Sequence, residues 1–282
     1  MKNFILGIKC HFKALKFLVK HKFWWYSLVP FVVFTGIYSL GFYLGSLEKQ
    51  TLPSEGDDIL KTIWYYLFNG IVLLLSYALL NFTRYIVIIL ISPVLSTISQ
   101  RTEKILTGNK YKFNLSQLFK DIIRAVKLAF RNIVYEFSFI AIVIVTFWII
   151  GMFFTDHILI ISMIEKIIIM MIAFYYYGFA FLDYTLERMR FSVEDSVKYM
   201  RKHRGLAISI GIIFTPIFHY SNQLLLETKT YFEPNNNWFY IIILITAVIS
   251  AIVPVWSMIA STMALNEIED LKNNEYAIKE NQ

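Results

Sequence analysis

Residues 137–155 read FSFIAIVIVTFWIIGMFFT, a run without one charged side chain. A helix of about 20 such residues crosses a hydrocarbon core roughly 30 Å thick, whereas a helix on a water-soluble protein keeps polar residues on its outer face. Five more apolar stretches accompany it, at 23–47, 63–83, 167–182, 205–226 and 238–265. All are continuous rather than alternating in polarity. They therefore do not suit barrel strands, which need only about ten residues of alternating character. The expected fold is an all-α integral membrane protein, with residues 1–282 as a single polytopic membrane domain. The composition agrees: 57% of the 282 residues are hydrophobic, only 17% are charged, and the mean hydropathy is +0.56. A soluble surface needs more polar residues than that.

The second stretch does not stop at Thr83. Beyond Arg84 the chain stays uncharged from Tyr85 to Gln100, so one long helix over 63–98 is expected, tilted or projecting from the membrane. Arg84 then lies near an interface. It can snorkel to the headgroups or serve as a charge on an anion or proton path, and the residues alone leave both readings open. The third and fourth stretches are joined at 156–166 by a mostly apolar connection, which suggests a hairpin. Pro216 and Pro254 fall inside the fifth and sixth, where each removes a backbone hydrogen bond. The first stretch is too long for the core of a secretion signal and lacks a clear cleavage site, so it is expected to remain as an anchor. Cys10, the one cysteine, cannot form a disulfide within the chain. It is read as a small surface residue.

Lysine and arginine collect on the cytosolic side of membrane proteins. Six lysines precede Phe23, eight basic residues lie in 101–136, six in 183–204 and two in the C-terminal tail, while the connections at 48–62, 156–166 and 227–237 carry only four. Both termini are therefore expected in the cytosol. The net charge of +7 fits attraction to anionic membrane lipids and does not imply nucleic acid. Two basic segments are also amphipathic. Lys9, Lys13, Lys16 and Lys20 oppose Phe4, Ile8, Leu15 and Leu18, and Lys120, Arg124, Lys127 and Arg131 oppose Leu115, Ile122, Val126 and Ile133. Each is expected to lie along the cytosolic interface.

No catalytic constellation emerges. His11, His21, His157, His203 and His219 lack metal-ligand spacing, and no HExxH, GxSxG, Walker or dinucleotide glycine pattern occurs. No catalytic residue, metal or cofactor is expected, and the chain is not read as an enzyme. Transport, if it occurs, would be that of a channel, a secondary transporter or a partner of another subunit.

Three stretches carry a resemblance. The first is Ser92-Pro93, then 101–108 (RTEKILTG) and Asp121-Ile122-Ile123-Arg124. The second is 181–184 (FLDY) with Glu187, Arg188 and 190–192 (RFS), continuing to His203-Arg204-Gly205. The third is Pro254 with Ala260-Ser261-Thr262. In order and spacing they resemble the CysZ-like sulfate permease family, also called the etoposide-induced membrane-protein family. The resemblance implies two long transmembrane helices and two helical hairpins that penetrate the bilayer only partly, assembled as a homo-oligomer. It also implies uptake of sulfate, a small inorganic anion, across the cytoplasmic (inner) membrane.

The chain departs from that pattern at one place. The family's sulfate permeases carry a Gly-hydrophobic-Arg motif at the start of the first transmembrane helix, where helix N–H groups and a guanidinium hold an oxyanion. Aligned on Pro30, Lys22 replaces the glycine, and Trp24 and Trp25 occupy the arginine positions. Lys20, His21 and Lys22, with Arg84, are the substitute substrate-binding candidates, although lysine offers a point charge rather than a fork. The plainer reading is interfacial anchoring by Trp24, Trp25 and Tyr26 beside lysines. Glu103, Arg124, Asp183 and Arg188 are expected to form structural ion pairs, with Asp183 meeting Arg188 or Arg190; a coupling role is the alternative. The leading reading is a permease for sulfate or another small oxyanion, with membrane lipids as its surroundings. The alternative is a non-transporting membrane-organising or interaction protein with the same fold.

Overall fold

The computed structural model describes residues 1–47, 59–81, 83–111, 115–231, 237–273 and 275–277. Nine α-helices occur among them: α1 (Lys2–Lys20), α2 (Leu28–Leu47), α3 (Ile59–Asn81), α4 (Thr83–Thr107), α5 (Leu115–Phe153), α6 (Ile158–Arg188), α7 (Val193–Lys202), α8 (Arg204–Tyr231) and α9 (Asn237–Ile268). Short 3₁₀ turns occur at Phe23–Ser27, Thr155–His157 and Leu271–Asn273. The fold is all-α, as the uninterrupted apolar runs require when every backbone N–H must find its partner within its own segment.

Six helical stretches among the described residues are long and apolar enough to cross a membrane: Phe23–Gly41, Ile59–Tyr77, Ile86–Thr107, Ile123–Phe153, Thr155–Arg188 and Leu244–Ile268. The two most apolar lie in α5 and α6, and each contains an apolar segment of 18 residues that is only 6% buried. Trp148, Phe153 and Leu159 stand exposed there. Water would penalise that surface by about 25 cal/mol per Å², and lipid would not. The multi-pass membrane reading therefore follows from which residues face outward. The expected span at 205–226 forms a helix, α8, but His219, Tyr220, Ser221, Asn222 and Gln223 make its second half more polar than those six stretches.

The helix boundaries differ from expectation around the hairpin. The basic segment at 120–131 and the apolar stretch at 137–155 form one helix, α5, rather than an interfacial helix and a separate span. The connection expected at 156–166 is nearly all helix. Only 154–157 turn the chain, and α6 begins at Ile158. Residues 158–164 contain neither glycine nor proline, so their N–H groups are best satisfied by starting the helix at once. α5 and α6 pack on each other as a hairpin. The single helix expected over 63–98 passes through Phe82, which lies outside the described residues, as do 48–58 and 232–236; the chain is helical on both sides of Phe82.

The chain forms two compact units, each discontinuous in sequence. One comprises 1–24, 95–217 and 255–282, the other 25–94 and 218–254. Three of the crossings lie within two residues of Pro93, Pro216 or Pro254, which are interior to α4, α8 and α9. In the second unit α2 packs on α3. There Ser76 donates to the carbonyl of Gly41 at 2.8 Å, and Phe34 meets Phe218 edge-on at 5.5 Å.

The core of the first unit forms where α6, α8 and α9 meet α1 and the end of α4. Phe214 of α8 packs on Tyr177 and Phe181 of α6 at 5.2 and 5.1 Å. The two backbones approach so closely that a Cβ on Gly178 would sit 1.7 Å from the carbonyl oxygen of Ala207, and one on Gly211 would sit 2.0 Å from that of Phe174. Glycine permits such contact, which maximises dispersion between helices where no hydrophobic effect drives them together.

α1 uses the same device and corrects the expected orientation. Its buried stripe is Gly7, Cys10, His11, Ala14, Phe17 and Leu18, and a Cβ on Gly7 would strike Ser209 of α8 at 1.9 Å. Of the expected apolar face, Phe4 and Leu15 are exposed while Leu18 is buried. The helix thus packs its small residues against protein and leaves larger ones outside. Cys10, expected at the surface, is fully buried, and that burial pushes its thiol up to about 11. At the start of α5 the expected faces do not separate: Arg124, Arg131 and Ile133 are half-buried while Val126 and Lys127 are exposed, and the side chains of Leu115, Lys120 and Ile122 lie outside the described residues.

Candidate functional site

Helix periodicity places Ser99 and Glu103 on one face of α4, and Thr185 and Arg188 on one face of α6. In the first unit those faces meet. Arg188 donates from Nε and Nη2 to Oε2 of Glu103 at 2.9 and 2.8 Å. Its Nη2 also reaches Ser99 at 2.9 Å, and its Nη1 donates to the Tyr184 carbonyl at 3.0 Å. Ser99 is in turn 2.6 Å from the Thr262 hydroxyl on α9. Glu103 is wholly buried and its partner nearly so.

The other carboxylate oxygen of Glu103 is served by a turn. α4 ends at Gly108, whose φ of +82° favours glycine. The chain folds back there, so that Asn109 donates to Oε1 at 3.1 Å and Tyr111 donates to the same oxygen. Asn109 also donates to the carbonyl of Leu271 at 2.6 Å, tying this turn to the segment after α9.

A second pair lies beside Asp183. Arg124 of α5 makes a bidentate contact with Asp183 of α6, Nη1 to Oδ2 at 2.7 Å and Nη2 to Oδ1 at 2.8 Å. Its Nη2 also donates to Ser196 of α7 at 2.7 Å, and its Nε donates to the carbonyl of Phe191 at 2.9 Å. That carbonyl is presented by the end of α6, where Arg190 takes the left-handed conformation (φ 61°), Phe191 N–H bonds to Leu186 and Arg190 N–H to Glu187. α7 then starts on Ser192, which accepts from the Asp195 N–H at 3.1 Å.

The expected pairing of Asp183 with Arg188 or Arg190 is therefore not the one formed. Five residues along a helix rotate the side chain by about 140°, which turns Asp183 and Arg188 to different faces. Glu187, one turn after Asp183, faces Arg124 at 3.7 Å instead. The guanidinium of Arg190 lies over the ring of Tyr276 at 5.9 Å.

Removing two charges from water costs several kcal/mol each unless geometry and extra hydrogen bonds compensate. Here both carboxylates and both guanidiniums are so compensated. The arrangement can fix the ends of α4, α5, α6, α7 and α9. Its donors and acceptors are engaged with protein, which suits a clamp rather than a ligand pocket. The three stretches that carry the resemblance converge on it: Glu103 and Arg124 from the first, Asp183 and Arg188 from the second, and from the third Thr262 together with Ser261, which donates to the Phe181 carbonyl at 3.2 Å.

The substrate-binding candidates are arranged differently. Lys20 and Lys22 are exposed where α1 ends, and Lys22 has a φ of 57°. His21 is half-buried with its ring 4.3 Å from that of Phe17. These three adjacent residues stay together by connectivity alone. Arg84 belongs to the other unit, within α4, and its side chain lies outside the described residues. Trp24 and Trp25, beside Lys20, His21 and Lys22, are exposed.

Sequence reasoning missed His11. Its Nε2–H donates to the carbonyls of Ser209 and Ile210 at 3.1 and 3.2 Å, while the Trp256 N–H donates to its own carbonyl at 2.8 Å. Burial holds its pKa down, from 6.5 to about 4, against the opposing pull of those carbonyl bonds. The small residues Gly7, Cys10 and Ala14 at helical spacing were the available signal that this face packs against protein. Nearby, Asn3 lies 2.7 Å from His203 Nδ1, and Tyr199 donates to Glu269 at 2.8 Å. Burial, with Lys202 close by, lowers the pKa of His203.

A family model described as Sulfate transporter CysZ/Etoposide-induced protein 2.4 matches residues 10–221. No curated protein and no solved structure matches the chain.

Proposed function

Because the chain belongs to the family of sulfate transporter CysZ and etoposide-induced protein 2.4, we propose that this multi-pass membrane protein is a permease moving sulfate or another small oxyanion into the cytosol. The family match over residues 10–221, on a chain whose described residues include six helices long and apolar enough to cross a membrane, carries this reading. Lys20 and Lys22, with His21 between them as a hydrogen-bonding side chain, would gather the anion, with Arg84 as a further contact. Lysine attracts sulfate as a point charge and imposes little geometry, so selectivity among oxyanions is expected to be broad. The reading includes no catalytic step and no cofactor. It places the protein in the cytoplasmic (inner) membrane with both termini cytosolic, as a homo-oligomer surrounded by lipid, without nucleic acid.

The test is uptake of radiolabelled sulfate into liposomes reconstituted with the full chain, compared with Lys20→Ala/Lys22→Ala and Arg84→Ala. Uptake above that of empty liposomes, reduced in these variants, supports the permease. The tryptophans in place of arginines favour, as a second reading, a membrane-organising protein that does not transport. Uptake equal to that of empty liposomes, under conditions where a known permease works, would overturn the permease reading and favour this one. Orientation is checked separately: a reporter after Ser54 should behave as external and one after Asn109 as cytosolic.

A further inference from the structure

A cavity of about 520 Å³ lies within the first unit, between the α5–α6 hairpin, α7 and the start of α8. Its wall is graded by helix register. Along α5 the lining residues are Arg131, Tyr135 and Phe139, each one turn beyond the last. Along α6, which returns antiparallel, they are Tyr176, Ile172 and Ile168, again at four-residue steps. Both ladders run from polar to apolar over about 12 Å. Arg201 and Arg204 join Arg131 in the lining.

These three guanidiniums are poorly compensated. Arg131 stacks over the Tyr135 ring at 4.6 Å and donates to Asn132 at 3.2 Å, while Arg204 donates to the Arg201 carbonyl at 3.1 Å. Among the described residues none of the three pairs with a carboxylate, in contrast to Arg124 and Arg188 in the same unit. Three positive charges beside an apolar cavity call for an anion. A small tetraoxyanion would leave most of the volume unfilled, since a water occupies only about 30 Å³, and Phe139, Ile168 and Ile172 offer it nothing. An acyl chain would cover them.

We propose that this cavity holds an anionic phospholipid, its phosphodiester on Arg131, Arg201 and Arg204 and one acyl chain along Phe139, Ile172 and Ile168. The tyrosines between head and chain sit where amphipathic rings prefer to lie, at headgroup level. Basic pockets between transmembrane helices are an expected location for acidic headgroups. The proposal does not depend on transport.

The test is native mass spectrometry of the full chain released from detergent, titrated with phosphatidylglycerol or phosphatidylcholine, alongside thermal unfolding with the same lipids and with inorganic phosphate. Phosphatidylglycerol should be retained and raise the melting temperature. Phosphatidylcholine and inorganic phosphate should do neither. Each of Arg131→Ala, Arg201→Ala and Arg204→Ala should weaken retention about fivefold, whereas Lys198→Ala, which removes a lysine outside the cavity, should leave it unchanged. Arg201 and Arg204 are exposed, so those variants should fold even if Arg131→Ala does not. Equal retention of the two lipids, retention insensitive to Arg201→Ala and Arg204→Ala, or full stabilisation by phosphate alone would each overturn it.

Discussion

Glu103 and Arg188, 85 positions apart, are joined by two hydrogen bonds of 2.8 and 2.9 Å at a point where both side chains are almost wholly removed from solvent. Their remaining polar atoms are taken up by Ser99, Tyr184, Asn109 and Tyr111. Loss of either charge leaves the other buried without its partner. Glu103→Ala and Arg188→Ala should each destabilise the protein by about 3–5 kcal/mol, read as a large drop in the melting temperature of detergent-purified protein. The double variant Glu103→Leu/Arg188→Met, which replaces both charges by apolar side chains, should melt above either single variant. Single variants that melt like the parent would show that the pair is not a clamp.

Arg124 contacts Asp183, Ser196 and the Phe191 carbonyl through three different nitrogens. Lysine keeps the charge and loses the fork. Arg124→Lys should therefore cost about 1–3 kcal/mol, with the α6–α7 turn becoming more open to limited proteolysis. Unchanged stability and cleavage would mean that charge alone suffices.

Gly178 and Gly211 stand where a single added carbon would enter the backbone of a neighbouring helix, whereas Gly36 and Gly70 have nothing within 4 Å of the same position. Gly178→Ala and Gly211→Ala should sharply lower the yield of monodisperse protein on size exclusion, while Gly36→Ala and Gly70→Ala should leave it intact. Equal behaviour of the two sets would refute the close packing of α6 on α8.

His11 adds acid sensitivity. Its pKa is depressed when folded, to about 4 from 6.5, so between these values the unfolded chain binds the proton and the folded one does not. The stability it contributes is complete above about pH 6.5 and declines as pH falls towards 4. His203, also depressed, adds in the same direction. Melting temperature should fall from pH 7 to pH 5. His11→Gln, which can still donate to the Ser209 and Ile210 carbonyls, should flatten that slope. A slope unaltered by the change would assign the acid sensitivity elsewhere.

The membrane class was legible because continuous apolarity over helical length has no other stable use, and α5 and α6 form where that apolarity is greatest. The hairpin turn was misplaced because a charge-based reading put Glu165 and Lys166 in a loop, whereas the backbone follows the absence of a helix breaker after Ile158. The ionic residues were visible one by one in Glu103, Arg124, Asp183 and Arg188. Their partnership was not, since it depends on which faces of α4, α5 and α6 are turned towards one another. The stripe of α1 was misread because exclusion from water ranks Phe4 above Gly7, while helix contact in a membrane favours the smaller residue.

From its order of residues alone, this chain is committed to lie in lipid as a set of helices, because uncharged runs of that length leave the backbone no other way to satisfy its hydrogen bonds in hydrocarbon. Tertiary structure decided the rest: that Glu103 meets Arg188 and Asp183 meets Arg124, that Cys10 and His11 are buried, and that Arg131, Arg201 and Arg204 surround one cavity. Those outcomes are set by packing between helices distant in sequence, and helical periodicity names the face a residue occupies without naming the face it will meet.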